Sequence, residues 1–288
     1  MRGDLIMDDK PDPLTEPELP GQLLPPDRVF YAEGVLLDAA DFNAEQCYHR
    51  GRLARVLSYL GGSGTVAGLE VSSNKKPDDE EELRVGPGLA VDRLGRLVEV
   101  PRDWCLRLGR WYLSQDPREL NDAFDASEGL VIADVFLRFV ACERGRTPAF
   151  ASGPFDALDA AVPSRIRDAF DIELVLRRMP NPPLPVSSPW DLSGGDPREA
   201  LHTALLKAWR GGTDSLDTQG HLKADPEHVA GQDTTSIFLA RVSIPATKSA
   251  GDVSPVRKLG AFAEADNHVR RFVYPTGALA AWLGILTP

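Results

Sequence analysis

Residues 36–60, LLDAADFNAEQCYHRGRLARVLSYL, place Phe42, Leu53, Val56, Leu57 and Leu60 on one stripe, with His49 in line. The three-and-four spacing is that of an amphipathic helix. Asp38 precedes the stripe as an N-cap, Asp41 stands at the third helical position, and Leu37 with Phe42 has the spacing of a hydrophobic staple. The stripe is expected to face the core, which makes His49 a packing residue. Cys47, two positions away, points elsewhere, so the two form no thiol–imidazole pair.

After this helix the period changes from helical to alternating. TVAGLEV, ELRVGPGLAV and RLVEV read as strands of a β-meander, with DRLG as a hairpin turn. LVIADVFLRFVACE, residues 130–143, is the most strand-like apolar run. In RDAFDIELVLRR, Phe170, Ile172, Leu174 and Leu176 alternate with Asp171, Glu173 and Val175. GRWYLSQDPRELNDAF has mixed helical character. GGDPREALHTALLKAWRGG predicts a helix with Asp196 as cap, Pro197 at its first position, Glu199 completing a capping box and Gly211 as stop. TSIFLARVSIP and VRRFVYP read as closing strands, and TGALAAWLGIL as a C-terminal helix. No regular strand–helix–strand alternation and no internal repeat appears. The expected class is α+β, mainly antiparallel β-strands with a few capped helices and an extended N-terminal arm.

The arm is residues 1–27. It holds six prolines and seven acidic residues against Arg2 and Lys10, a composition that builds no core of its own. A β-rich domain with its N-terminal helix is assigned to residues 28–180, and a proline-rich connector to 181–195, on the strength of MPNPPLPVSSPW at 179–190. Residues 196–288 are then a helix plus closing strands on the same core.

The glycines of YLGGSGTVAGLEV invite comparison with a phosphate loop, but they follow a helix and precede a strand, the reverse of the order such loops require. They read as a corner that ends the helix, with Gly61 in the left-handed region. A net charge of −11 over 288 residues disfavours nucleic acid and anionic membrane as partners. No apolar run approaches the roughly 20 residues of a membrane span. The N-terminus lacks the basic-then-apolar order of a signal peptide, and Cys47, Cys105 and Cys142 are three and widely spaced; both point to the cytoplasm.

Candidate chemistry is sparse. No zinc-type pairing of cysteines or histidines occurs, and neither a calcium loop nor a nucleophile motif is present. His221, Asp225 and His228 in GHLKADPEHVAG are the best candidates for a metal clip, and a metal-dependent hydrolase built on them is the weakest reading carried. The chain is expected to be no enzyme and to need no cofactor.

Beyond these readings, VFYAEGVLLDAADFNAEQCYHRGRLARVLSYLGGSGTVAGLEV followed by VGPGLAVDRLGRLVEVP resembles a family of proteins encoded with contractile injection systems, the phage-tail-like particles. The pattern is G-x-x-L-x-A-x-D-F-x-x-E-Q-x-Y-H, a glycine corner, G-L-E-V, then P-G-x-A-x-D-x-x-G-R. ACERG, PSRIRDAFDIEL, LARVSIP and VRRFVYP extend it over most of residues 28–288. The resemblance implies a structural or accessory component near the baseplate or its fibre attachments, with a cap subunit as an alternative place. Its partners are other subunits of the particle or further copies of itself. The arm's Leu5, Ile6, Leu14, Leu19, Leu23 and Leu24, and Arg50, Arg52 and Arg55 on the helix, are the residues expected to bind partners. An alternative is a glycan-binding module at a fibre base that uses Trp104, Trp111 and Tyr112 on exposed β-faces. Deletion of residues 1–27 is expected to leave a folded, soluble chain that no longer joins the particle, as read by mass spectrometry of purified particles; normal incorporation would contradict the arm's role.

Overall fold

The computed structural model describes residues 28–75, 81–148, 161–186, 196–208, 222–258 and 260–283. It opens with helix α1 (Ala39–Leu60), followed by five short strands: β1 (Gly64–Gly68), β2 (Val71–Lys75), β3 (Glu81–Val85), β4 (Gly88–Val91) and β5 (Leu97–Val100). Strand β6 (Trp104–Arg107), helices α2 (Leu108–Leu113) and α3 (Pro117–Asp122), and strand β7 (Phe124–Asp125) lead into the two longest strands, β8 (Leu130–Pro148) and β9 (Ala161–Leu176). Helix α4 (Pro197–Lys207), strands β10 (Ile237–Thr247), β11 (Val256–Arg257) and β12 (Glu264–Asp266), and helix α5 (Thr276–Trp282) complete the order. The fold is α+β, and every strand pair in its sheets is antiparallel.

Strand β8 is the centre. Its first half pairs with β10 on one edge, from Leu130↔Pro245 to Leu137↔Ile237, and with β9 on the other from Ala133↔Leu176 onward. Its alternate residues Val131, Ala133, Val135, Leu137 and Phe139 are buried and join Leu239, Val242 and Ile244 of β10 in one core. Val71, Leu83, Val85, Val98 and Val100, from two three-stranded sheets of order β1-β4-β5 and β2-β3-β6, and Leu69 between β1 and β2, belong to the same core.

These small sheets correct the meander expected for residues 64–100. The chain passes from β1 to β2 through Gly68 (φ 63°) and Leu69 (φ 58°), and this left-handed step carries it from one sheet into the other. A Cβ on Gly68 would overlap Pro87 O, and one on Gly88 would overlap Ala67 O, so both backbones need glycine to approach this closely. VRRFVYP forms no strand either. Phe272 makes only an isolated bridge to Thr65, while the buried Arg270 guanidinium donates to Leu69 O at 2.8 Å. Burial lowers the pKa of that guanidinium to about 10. The arginine thereby spends on a side-chain bond the place a core strand residue would fill.

The DRLG turn forms as expected. Asp92 N–H donates to Arg96 O at 3.0 Å, and Asp92 Oδ1 accepts from the amides of Leu94 and Arg96 at 2.9 Å each. Arg96 Nε returns to Asp92 Oδ2 at 2.6 Å, and the guanidinium lies over the ring of Phe139. Burial pushes the Asp92 carboxyl up, against the pull of Arg96. At the tip sits Gly95, with φ 79°, directly beneath α1: a Cβ there would overlap Ala54 O. Gly95→Ala is therefore expected to displace α1 as well as strain the turn. We expect a loss of about 2 kcal/mol or more in denaturant unfolding, with increased proteolysis within 39–60; an unchanged midpoint would contradict this contact.

Candidate docking surfaces

Helix α1 begins with the capping box read from the sequence. Asp38 Oδ1 accepts from the amides of Ala40 (2.8 Å) and Asp41 (3.1 Å), and Asp41 Oδ2 accepts from Asp38 N–H at 3.0 Å. Its orientation is the opposite of the one expected. Ala54 is the helix's buried residue, and the half-buried Cys47, Gly51 and Ser58 lie on the same side, all small, so the helix backbone comes down close to the Gly95 turn. Apart from the half-buried Leu57, the apolar stripe faces away: Phe42 is 50%, Leu53 59%, Val56 51% and Leu60 85% exposed. His49, expected in the core, is exposed 3.8 Å from Glu45. Leu37 and Phe42 both remain exposed, so the staple buries little. Gly61 is also corrected: it closes the helix at φ −108°, and the left-handed residue is Gly62 at φ 71°.

The three helix arginines flank this face. Arg52 is exposed with its guanidinium 5.3 Å from the Tyr48 ring centroid, Arg55 is half-buried at 5.4 Å from Tyr59, and Arg50 is half-buried. The apolar surface continues in front of the helix, where Phe30 is 83% and Leu36 96% exposed. Leu5, Ile6, Leu14, Leu19, Leu23 and Leu24 lie outside the described residues.

Strands β8 and β9 form a second surface, which the sequence reading did not single out. Beyond Ala141 the two continue as a two-stranded ribbon whose described side chains, from Cys142 to Pro148 and from Pro163 to Asp168, are all exposed. Register puts Arg144 opposite Arg165 and Cys142 opposite Arg167, so Arg144, Arg146, Arg165 and Arg167 share one face. The alternation R-x-R in ERGRTP and again in PSRIR was the available signal.

The aromatics proposed for glycan binding are packing residues. Trp104 and Trp111 lie against the core cluster, and Tyr112 is buried with its hydroxyl donating to Pro255 O at 2.9 Å. The histidine–carboxylate loop is likewise committed. His228 accepts the Asp225 amide on Nδ1 (3.0 Å), places Nε2 2.9 Å from Ser236 O, and stacks on Phe136. Nδ1 is the acceptor, so Nε2 carries the proton and donates to the Ser236 carbonyl. Asp225 faces Arg271 at 3.2 Å and Arg93 at 3.6 Å. His221 lies outside the described residues. Among the described residues no group of three or more His, Cys, Asp or Glu side chains could hold a metal, and no helix is long and apolar enough to cross a membrane.

In α4, Asp196 accepts from Arg198 N–H at 2.9 Å and Pro197 opens the helix, but Glu199 does not close a box; Gly211 lies outside the described residues. No described residue of this helix is buried.

Comparison with known proteins yields no matching family model and no matching curated protein. Similarity to solved structures is weak. The crystal structure of TssK is 10% identical with a TM-score of 0.31 over 81% of this chain and 41% of that one. A chain of the baseplate complex from the type VI secretion system is 12% identical with a TM-score of 0.29 over 63% of this chain and 64% of that one. The chain thus spans about two fifths of the length of TssK.

Burial pushes the Tyr112 hydroxyl up to about 12 from an ordinary 10. A raised pKa means that the unfolded chain releases this proton first. The stability tied to it is complete below about pH 10 and is lost as the pH rises towards 12. Tyr112→Phe should cost about 1 kcal/mol at neutral pH by stranding the Pro255 carbonyl. It should also flatten the alkaline limb of the stability–pH curve, measured by urea unfolding; an unchanged alkaline limb would count against the buried hydroxyl.

Proposed function

We propose that the chain is a non-enzymatic structural subunit of a contractile injection system, assembled in the cytoplasm and docked near the baseplate through the outer face of α1. The observation that carries this reading is the apolar stripe turned away from the core. A helix whose large apolar residues point outward while its small ones touch the body is built to be covered by something else. Phe42, His49, Leu53, Val56 and Leu60 repeat at the three-and-four spacing by which one helix seats against another. Arg50, Arg52 and Arg55 beside the stripe supply charged rims that orient a partner. The arm leucines are assigned to the same task, with ordering of residues 1–27 coupled to docking. The family pattern centred on this helix and its glycine corner agrees with a particle component.

The reading leaves the fold independent of the interface, because Leu53 and Leu60 contribute little to the core. Leu53→Glu/Leu60→Glu should hold its melting temperature within a few degrees of the parent. Each leucine stabilises a buried interface by about 1.5–3 kcal/mol, so incorporation into purified particles should fall at least tenfold, measured by quantitative mass spectrometry. Undiminished incorporation of a folded double variant would overturn the role of this face.

A further inference from the structure

The arginine face of the β8–β9 ribbon has no use in the docking role just described. Four guanidinium groups, of Arg144, Arg146, Arg165 and Arg167, share one side of a two-stranded ribbon, and none is ion-paired with another described residue. Glu143 and Asp168, the nearest acids in the ladder, belong to the opposite side, opposite Ile166 and Ala141. Like charges directly across a ladder, as at Arg144↔Arg165, weaken the pairing. A ribbon of two strands is marginal even without that repulsion. At the base of the same ladder the chain solves the problem differently: Arg138 meets Asp171 at 2.7 Å and Glu173 at 3.3 Å. The distal arginines are therefore a cationic strip awaiting an anionic partner, on a molecule of net charge −11.

We propose that the partner is the chain's own arm, residues 1–27, bound along this strip by its acidic residues. Charge complementarity selects it. Asp4, Asp8, Asp9, Asp12, Glu16, Glu18 and Asp27 stand against only Arg2 and Lys10. The sequence between the two strands, residues 149–160, offers only Asp156 and Asp159. Reach allows it too: 27 residues in a proline-rich extended form span about 80 Å at roughly 3.1 Å each. A folded body of this size has a radius of gyration of about 18 Å. Single exposed ion pairs are weak, but tethering holds the arm at about millimolar effective concentration, and several pairs act together. A body of net negative charge repels any polyanion, and only the arm has a tether that offsets this, which makes free nucleic acid the poorer occupant.

The test uses the full chain with Thr15→benzoylphenylalanine as a photo-crosslinker in the arm. Crosslinks are mapped by mass spectrometry at about 20 mM and about 500 mM salt, where the Debye length falls to a few ångströms. At low salt the crosslinks are expected on 142–148 and 161–168, and they should drop at least tenfold at high salt. The exposed quadruple variant Arg144→Glu/Arg146→Glu/Arg165→Glu/Arg167→Glu should lose them, and adding Asp8→Lys/Asp9→Lys/Asp12→Lys to that variant should restore them. Crosslinks that fall elsewhere, or that ignore the charge reversal, overturn the proposal. So does binding of a labelled single-stranded DNA that the ribbon variant abolishes while the arm crosslinks stay unchanged, since the strip would then serve nucleic acid. Arm binding rests on the docking role only in sharing the arm; the ribbon variant by itself leaves both the outer face of α1 and the arm leucines intact, so lost crosslinks with normal incorporation into particles, or the reverse, tell the two apart.

Discussion

A single buried carboxylate ties the long strands together. Asp134, near the start of β8, has no exposed surface and meets Arg241 of β10 through both oxygens, at 2.8 and 2.9 Å. Arg177, just past the end of β9, brings its Nε to 3.0 Å from the same group, without the alignment of a hydrogen bond. Burial pushes the Asp134 carboxyl up, and the two guanidiniums oppose that shift. Arg241 then donates to the carbonyls of Pro182 and Pro183, at 2.9 and 3.0 Å, which fastens the start of the proline-rich connector to the sheet. An arrangement of this kind gains little against a well-packed apolar core, yet removing one partner strands the other charges in a dry interior. Its effect is on register. Asp134 and Arg241 face each other in the ladder, so a slip of one residue would separate them and bury both uncompensated.

With register held at its base, β8 can run far past its partner. Strand β10 leaves off at Leu137, whereas β8 and β9 continue to Pro148↔Ala161. The core therefore acts as a socket for a projecting ribbon. Helix α1 is held on the same body by a different device, the close approach of Ala54 to Gly95. Small residues suffice for that seat, and the large apolar ones are left outside. Both surfaces available for binding thus follow from how the body is held, one by an ionic clamp and the other by steric closeness.

The sequence made α1, its cap, the DRLG turn and the alternation in 170–176 legible because each depends on neighbours in the chain. It misled on which side of α1 is buried. Periodicity reports that a helix has an apolar face, and the habit of placing that face inward assumes that the body offers an apolar groove. Here the body offers the backbone of a turn, which only small residues fit. The split of 64–100 into two sheets was hidden because it depends on the left-handed backbone of Leu69, a residue type that gives no warning of φ 58°. VRRFVYP looked like a strand by composition, but its Arg270 is drawn inward by the Leu69 carbonyl that this same step exposes. The arginine strip was visible as two R-x-R alternations, and its meaning required the register that sets Arg144 against Arg165.

That register bears on why the strip lies where it does. Repulsion among four guanidiniums would be most damaging in the middle of the sheet, where desolvation strengthens every charge interaction. At the exposed end of a ribbon, water screens it and the cost to the fold is small. A binding surface made of like charges is thus tolerable only beyond the core, and β8 and β9 are long enough to reach there. The acids that would neutralise it lie in a segment whose residues 11–26 carry six prolines, and there proline lacks the amide a central strand must donate. Opposite charges on an exposed strip and on a proline-rich segment of the same chain would let the two meet without taking a place in the sheet.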